Sequence, residues 1–250
     1  SGSGSFNLAG LSQFAGFEEV RLTNASSSSA SLVLRDGADL KVTLSDGSAP
    51  SASPYPVYSS AGGISVTLAK SLVTITGGNE SDSFSAGTPA QLVAGSAIDG
   101  GGGYDSLSLS YDFTVANNIY QTDPATGLSI YVPPTYRDSV YDLTKISLSH
   151  VETLSANGNY SYGTNNTTTT IIKVDDASLK DVSSISLNSS AILTTDAAAL
   201  DLSGKSISGY SGGGAITSSN ALGTTFTVNS AAVATLIQGG AGQDTVVVTG

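Results

Sequence analysis

The sequence reads as an all-β protein, and three observations point there. Apolar residues alternate with small polar ones, as in Ile64-Ser65-Val66-Thr67-Leu68, Leu107-Ser108-Leu109 and Ile185-Ser186-Leu187. That is the period of a half-buried strand. No stretch carries the spacing of a long amphipathic helix. Glycine-rich turns, each followed by an apolar residue, punctuate the chain at 77–82, 100–105 and 239–244.

The elements follow in order. Ser1-Gly2-Ser3-Gly4-Ser5 reads as a flexible linker. The chain does not begin with Met, which suggests a processed chain or a fragment. Residues 6–110 form a first β-rich region that ends in the paired glycine turns. Within it, Ser31 to Gly47 reads as strand–turn–strand, with Asp36-Gly37 and Asp46-Gly47 as turn signals. That spacing fits hairpins or short solenoid rungs. Pro50, Pro54 and Pro56 mark a loop or a sheet-edge crossing. Residues 86–97 loop out between two turns, with one short helical turn expected around Ala90–Val93.

Residues 111–145 form a Tyr-rich excursion holding Tyr111, Tyr120, Tyr131, Tyr136 and Tyr141. A hairpin is expected there, with Ile119-Tyr120 and Ile130-Tyr131-Val132 joined through Asp123-Pro124-Ala125-Thr126-Gly127. Its aromatics suit local packing or a contact surface. Residues 146–250 form a second β-rich region ending in the third glycine turn. Alternatively, both regions belong to one continuous solenoid. Ala197–Leu200, flanked by Asp196 and Asp201, suits a turn or a corner. A weak internal repeat lays Phe17-Glu18-Glu19-Val20 on Val151-Glu152-Thr153-Leu154, with Glu18 on Glu152. The chain therefore reads as a window on a longer repetitive protein.

Composition narrows the function. Net charge is −11, with a pI of about 4.1, yet only 12% of the 250 residues are charged, against about 25% in a typical globular protein. With nine basic residues, nucleic acid is disfavoured, because that binding rests on Lys and Arg neutralising phosphates. No apolar run approaches the ~18 residues of a membrane span. There is no Cys, which excludes disulfides and thiol chemistry. His150 is the single histidine. That count rules out histidine-based zinc or iron sites, and no nucleophile elbow surrounds any serine. Paired carboxylates for glycoside hydrolysis cannot be counted out. Glu152 draws notice only because it recurs with Glu18, and a structural acid bonding backbone groups or a neighbouring rung explains it better.

The three turns share one pattern, Gly-Gly-x-Gly-x-Asp-x-apolar-x. Gly100 to Ser108 and Gly239 to Val247 fit every position; Gly77 to Ser85 fits except that Glu80 replaces a glycine. Calcium takes about six to eight oxygens, from carboxylates, carbonyls and water. A glycine turn can aim several carbonyls at one point, and the aspartate adds charge. Gly and Asp also make ordinary turns, but full repetition with a strand-starting apolar residue each time goes beyond that background.

This pattern resembles the calcium-binding nonapeptide of RTX (hemolysin-type) proteins. The order Gly78–Phe84, excursion, Ile98–Leu107, Val151–Leu154 is similar to units of bacterial RTX adhesins and RTX-type S-layer proteins. The resemblance implies a parallel β-solenoid with calcium clamped between stacked glycine turns. It implies carboxylate ligands Asp82 and Asp105, sharing one ion, with Asp99 as an extra ligand and Asp244 in the third turn. It implies carbonyl ligands at Gly77, Asn79, Gly100, Gly102, Gly239 and Ala241. Glu80 either distorts its turn or reaches the ion. The partner of the third turn is expected to be missing, or to lie beyond Gly250. The isolated turns argue against a continuous calcium-lined β-roll.

The expected function is structural and non-enzymatic: a calcium-dependent, self-assembling S-layer component, secreted or at the bacterial cell surface. The alternatives are an adhesin module binding glycan or protein, and a polysaccharide lyase or epimerase carrying RTX modules. The secretion signal of such proteins is expected outside this chain.

Overall fold

The fold comes from a computed structural model, which describes residues 4–46, 62–110, 119–123, 126–132, 138–157, 159–160, 167–188, 190–209 and 215–250. The expected loop around Pro50, Pro54 and Pro56, and Tyr111 and Tyr136, lie outside them.

The described residues are almost all β, arranged in parallel sheets. The largest sheet has eight strands, in the order Ser5–Asn7, Ala30–Val33, Ile64–Thr67, Ser83–Ala86, Ser106–Ser110, Thr153–Asn157, Ser184–Asn188 and Ser206–Gly209. A second sheet orders Glu19–Asn24, Leu40–Asp46, Val73–Thr76, Ala97–Asp99 and Ser147–Ser149. From Ala30 to Ser110 the chain visits these two sheets alternately, moving over by one strand at each return. A third sheet joins Ser139–Asp142, Thr170–Lys173, Ala191–Thr195, Ala215–Ser218 and Ile237–Gly240. A fourth joins Ala199–Asp201, Thr225–Val228 and Thr245–Val248.

Alternation becomes columns because the strands stack in register. Leu32, Val66, Phe84, Leu107, Leu154 and Ile185 stand one above another in the first sheet, each 1% exposed or less. Ala86, Leu109, Ala156 and Leu187 form the next column inward, small and large side chains in turn. From the second sheet, Val42, Ile75, Ile98 and Leu148 supply another buried column. Each large side chain buried this way contributes about 1.5–3 kcal/mol. The outward column of the first sheet is Ser31, Ser65, Ser83, Ser106, Thr153, Ser184 and Ser206.

The Asp36-Gly37 turn makes no hairpin. The strands on either side of it lie in different sheets, so it is a corner between sheets. Asp36 Oδ1 accepts the Lys70 N–H at 2.9 Å, and Asp39 Oδ1 accepts that of Leu72 at 2.9 Å. Each aspartate thereby ties its corner to the next. The expected helical turn is a 3-10 turn over Pro89–Gln91. Gln91 Oε1 caps it by accepting from Gly87 N and Thr88 N.

In the Tyr-rich stretch, Ile119–Thr122 pairs antiparallel with Ser129–Val132. Tyr141, counted with that stretch, is fully buried core. Its hydroxyl donates to Ser110 O at 2.5 Å and to Ala86 O at 3.2 Å. Sequence patterning did not foresee the short antiparallel pair Asn159–Tyr160 with Thr167–Thr168, or the helical turn Ala231–Ala234 capped by Ser230.

Candidate metal centre

The glycine turns sit where the chain passes into a strand. The turn 77–82 leads into Ser83–Ala86, and the turn 100–105 into Ser106–Ser110, its neighbour in the first sheet. The two turns therefore lie directly against each other. Gly77 N–H donates to Asp99 O at 2.7 Å, Gly102 N–H to Gly78 O at 2.8 Å, and Tyr104 N–H to Ser81 Oγ at 3.1 Å. The closeness explains the glycines. A Cβ on Gly100 would stand 1.9 Å from His150 O, and one on Gly101 would stand 2.3 Å from Gly78 O. Gly101 also has φ +89°, a conformation that side chains disfavour.

The shared motif does not fix one backbone path. Gly101 and Gly103 are left-handed in one turn and Gly239 in another, while none of residues 77–82 is. Glu80 takes the place of Gly103 without the left-handed conformation, so that turn runs differently. It still packs, since Gly103 lies directly over Glu80.

The aspartates form a ladder. Asp105 Oδ1 accepts the Asp82 N–H at 2.6 Å, and Asp82 Oδ1 accepts the Ile64 N–H at 2.7 Å. Glu152 Oε2 accepts the Asp105 N–H at 2.7 Å. Glu152, Asp105 and Asp82 each stand immediately before a first-sheet strand. One acid per level thus holds the N–H of the next level. Asp82 Oδ2 also closes its own turn on Gly78 N at 3.0 Å. Asp82 and Asp105 are 2% and 0% exposed. Buried carboxylates are tolerated only when well hydrogen-bonded or paired.

Asp99 does something else. Its Oδ1 accepts from Gly101 N at 3.2 Å and lies 2.7 Å from His150 Nδ1. Burial opposes its ionisation, yet the bonds from His150 and Gly101 outweigh that and lower its pKa. The bond to Asp99 in turn raises the pKa of His150. His150 is the one non-glycine residue with positive φ, +49°, among the described residues.

The third turn repeats the aspartate geometry. Asp244 Oδ1 accepts Thr224 N–H at 2.8 Å, and its Oδ2 accepts Gly240 N–H at 2.6 Å. On the side where its flanking strands are paired, this turn has a neighbour within the chain. Residues 218–224 stack on it, with Gly223 and Gly242 in such close approach that a Cβ on either would clash with the other segment's backbone. Local pattern does not reveal this neighbour, because 218–224 lacks the glycine pair and has Thr224 where the motif has aspartate. Thr224 is buried, and its hydroxyl donates to Ala197 O at 2.7 Å. Glu152 recurs with Glu18 in the sequence. Glu18 also precedes a strand, but in the second sheet, and is exposed.

The structure thus brings Gly77, Asn79, Asp82, Asp99, Gly100, Gly102 and Asp105 into one stack, and places Gly239, Ala241 and Asp244 in another. Among the described residues no three His, Asp or Glu side chains converge as a metal cluster. The donors here are oxygens, as calcium requires, with one motif aspartate in each turn and Glu80 as a further carboxylate in the first. A cation between the turns would draw on carbonyls of Gly77, Asn79, Gly100 and Gly102 beside Asp82 and Asp105. Among the described residues no helix is long and apolar enough to cross a membrane. No family model, curated protein or solved structure matches the chain.

Proposed function

We propose that this chain is a calcium-stabilised structural module of a bacterial surface protein, wound as a parallel β-solenoid and self-assembling as part of an S-layer. The observation that carries the reading is the direct stacking of two glycine turns, each holding a buried aspartate. The alternation of the chain between sheets supports the winding. The low charge and absence of cysteine fit a structural role outside the cell.

The mechanism is linkage. An ion that binds the folded chain alone stabilises it by RT ln(1 + [L]/Kd), about 2.7 kcal/mol at a hundredfold excess over Kd. Low cytosolic calcium keeps the chain loose for export, and millimolar calcium outside folds it and permits assembly. Asp82 and Asp105 supply the charge, and the glycine carbonyls fill the shell.

Calcium titration followed by circular dichroism and size-exclusion chromatography, with magnesium as control, tests this. The expected result is a calcium-specific rise in melting temperature, lost in D82A and D105A, together with growth into large assemblies. No response to millimolar calcium sinks the metal reading. A calcium-bound monomer moves the function to an adhesin module binding glycan or protein. The antiparallel hairpin that sets Tyr120 opposite Tyr131 favours that second reading.

A further inference from the structure

We infer that Glu152 is a positioning residue for the paired turns: its bond to the Asp105 N–H holds the turn 100–105 in place and thereby sets the calcium affinity of Asp82 and Asp105. This rests on the calcium reading above. Ser149 pairs with Asp99, and Thr153 with Ser106. His150, Val151 and Glu152 therefore span the corner that Gly100 to Asp105 span one level away. The corner lies against the turn: Gly100 N–H donates to Ser149 O at 2.9 Å, and His150 O sits over Gly100.

Glu152 does for Asp105 what Asp105 does for Asp82, at 2.7 Å and 2.6 Å. It also anchors the level beyond, since its carbonyl accepts the Ser183 and Ser184 N–H groups at 2.9 Å. Glu152 makes this bond from a three-residue corner, with a side chain one methylene longer than the aspartates of the glycine turns. The backbone N–H that fixes where Asp105 begins is thus held by a side chain outside the glycine motif.

The test is calorimetric calcium titration of wild type, E152A, E152Q and E152D, with magnesium as control, and amide hydrogen exchange at Asp105 without calcium. Loss of an outer partner of a metal ligand costs about 10–100-fold in affinity. E152A is expected in that range. E152Q, whose amide oxygen can still accept, should stay near wild type. E152D keeps the charge but not the reach, and should fall with E152A. If E152A does not fold, E152Q and E152D decide. Equal affinity in wild type and E152D overturns the inference, and so does an E152Q as weak as E152D. A wild type that binds no calcium overturns the affinity claim along with the calcium reading. Exchange then judges the positioning alone: Asp105 protection lost in E152D and kept in E152Q upholds it, and equal protection in all overturns it.

Discussion

The turns at 77–105 and the turn at 239–244 spend their aspartates alike but sit in different company. Asp82, Asp105 and Asp244 each accept a backbone N–H at the first residue of the neighbouring strand or the residue just before it. In the first stack the neighbour of one glycine turn is another glycine turn, and the aspartates are buried. In the second the neighbour is Thr224, and Asp244 is partly exposed. The first stack also lies in the middle of an eight-stranded sheet, whereas Thr245–Val248 pairs on one side. One sequence motif thus serves as a central clamp in one place and a peripheral tie in another. Burial and neighbours make the difference.

The largest effect should come from crowding the clamp. G100A drives a Cβ to 1.9 Å from a carbonyl oxygen. Overpacking typically costs about 1–3 kcal/mol, and a backbone clash in mid-sheet should reach or exceed the top of that range in urea unfolding. G240A meets Ser218 O at 1.8 Å but sits in a strand bonded on one side, so it should cost less. Equal losses would erase the distinction between centre and edge.

Next come the acids. D82A removes the acceptor of the Ile64 and Gly78 N–H groups and D105A that of the Asp82 N–H, at about 1–3 kcal/mol for each buried donor left unsatisfied. D244A, in a wetter setting, should lie at or below the low end. A thermal scan ranking D244A as the worst would reverse the comparison. In the same variants, D244A should keep most of the calcium-induced rise in melting temperature, and D105A should lose it. Retention in D105A would move the ion away from the paired turns.

The smallest effect concerns His150. Its folded pKa lies above 6.5 and that of Asp99 below 3.8. The pair therefore contributes fully between the ordinary pKa of an aspartate and that of a histidine. Its contribution fades as pH rises through the folded pKa of His150, and again as pH falls through that of Asp99. H150N keeps a residue that tolerates positive φ and removes the charge. Urea midpoints compared at pH 6 and pH 9 should show a small loss in wild type and a flatter profile in H150N. An unchanged slope would assign the loss to other groups.

Much of this was legible in the sequence. Alternation placed the strands at Ile64, Leu107 and Ile185, because burial on one face imposes period two. The motif located three turns, because close stacking demands glycine. What stayed hidden was whatever depended on neighbours. Asp36-Gly37 suits a hairpin and a corner equally, and only the partners of its strands decide. Thr224 carries no motif, yet occupies the aspartate's place. Tyr141 looked like one tyrosine among several until its hydroxyl was seen to cap Ser110 and Ala86 inside the core. The bond from Glu152 to the Asp105 N–H joins residues 47 apart in sequence, which no local pattern announces.

The serine column on the first sheet shows why an in-register stack favours uncharged side chains on its outer face. In a parallel stack in register, every outward residue repeats its neighbour at ~4.8 Å. A column of lysines there would set like charges against each other at roughly 0.9 kcal/mol per adjacent pair even in bulk water. Hydroxyls avoid that and can bond up the column, as Ser83 does to Ser65 at 2.8 Å. Where charges do meet in register they alternate in sign, Glu19 beside Lys41 and Asp142 beside Lys173. A face built this way owes little to charge screening, so in the folded chain its register should be insensitive to monovalent salt.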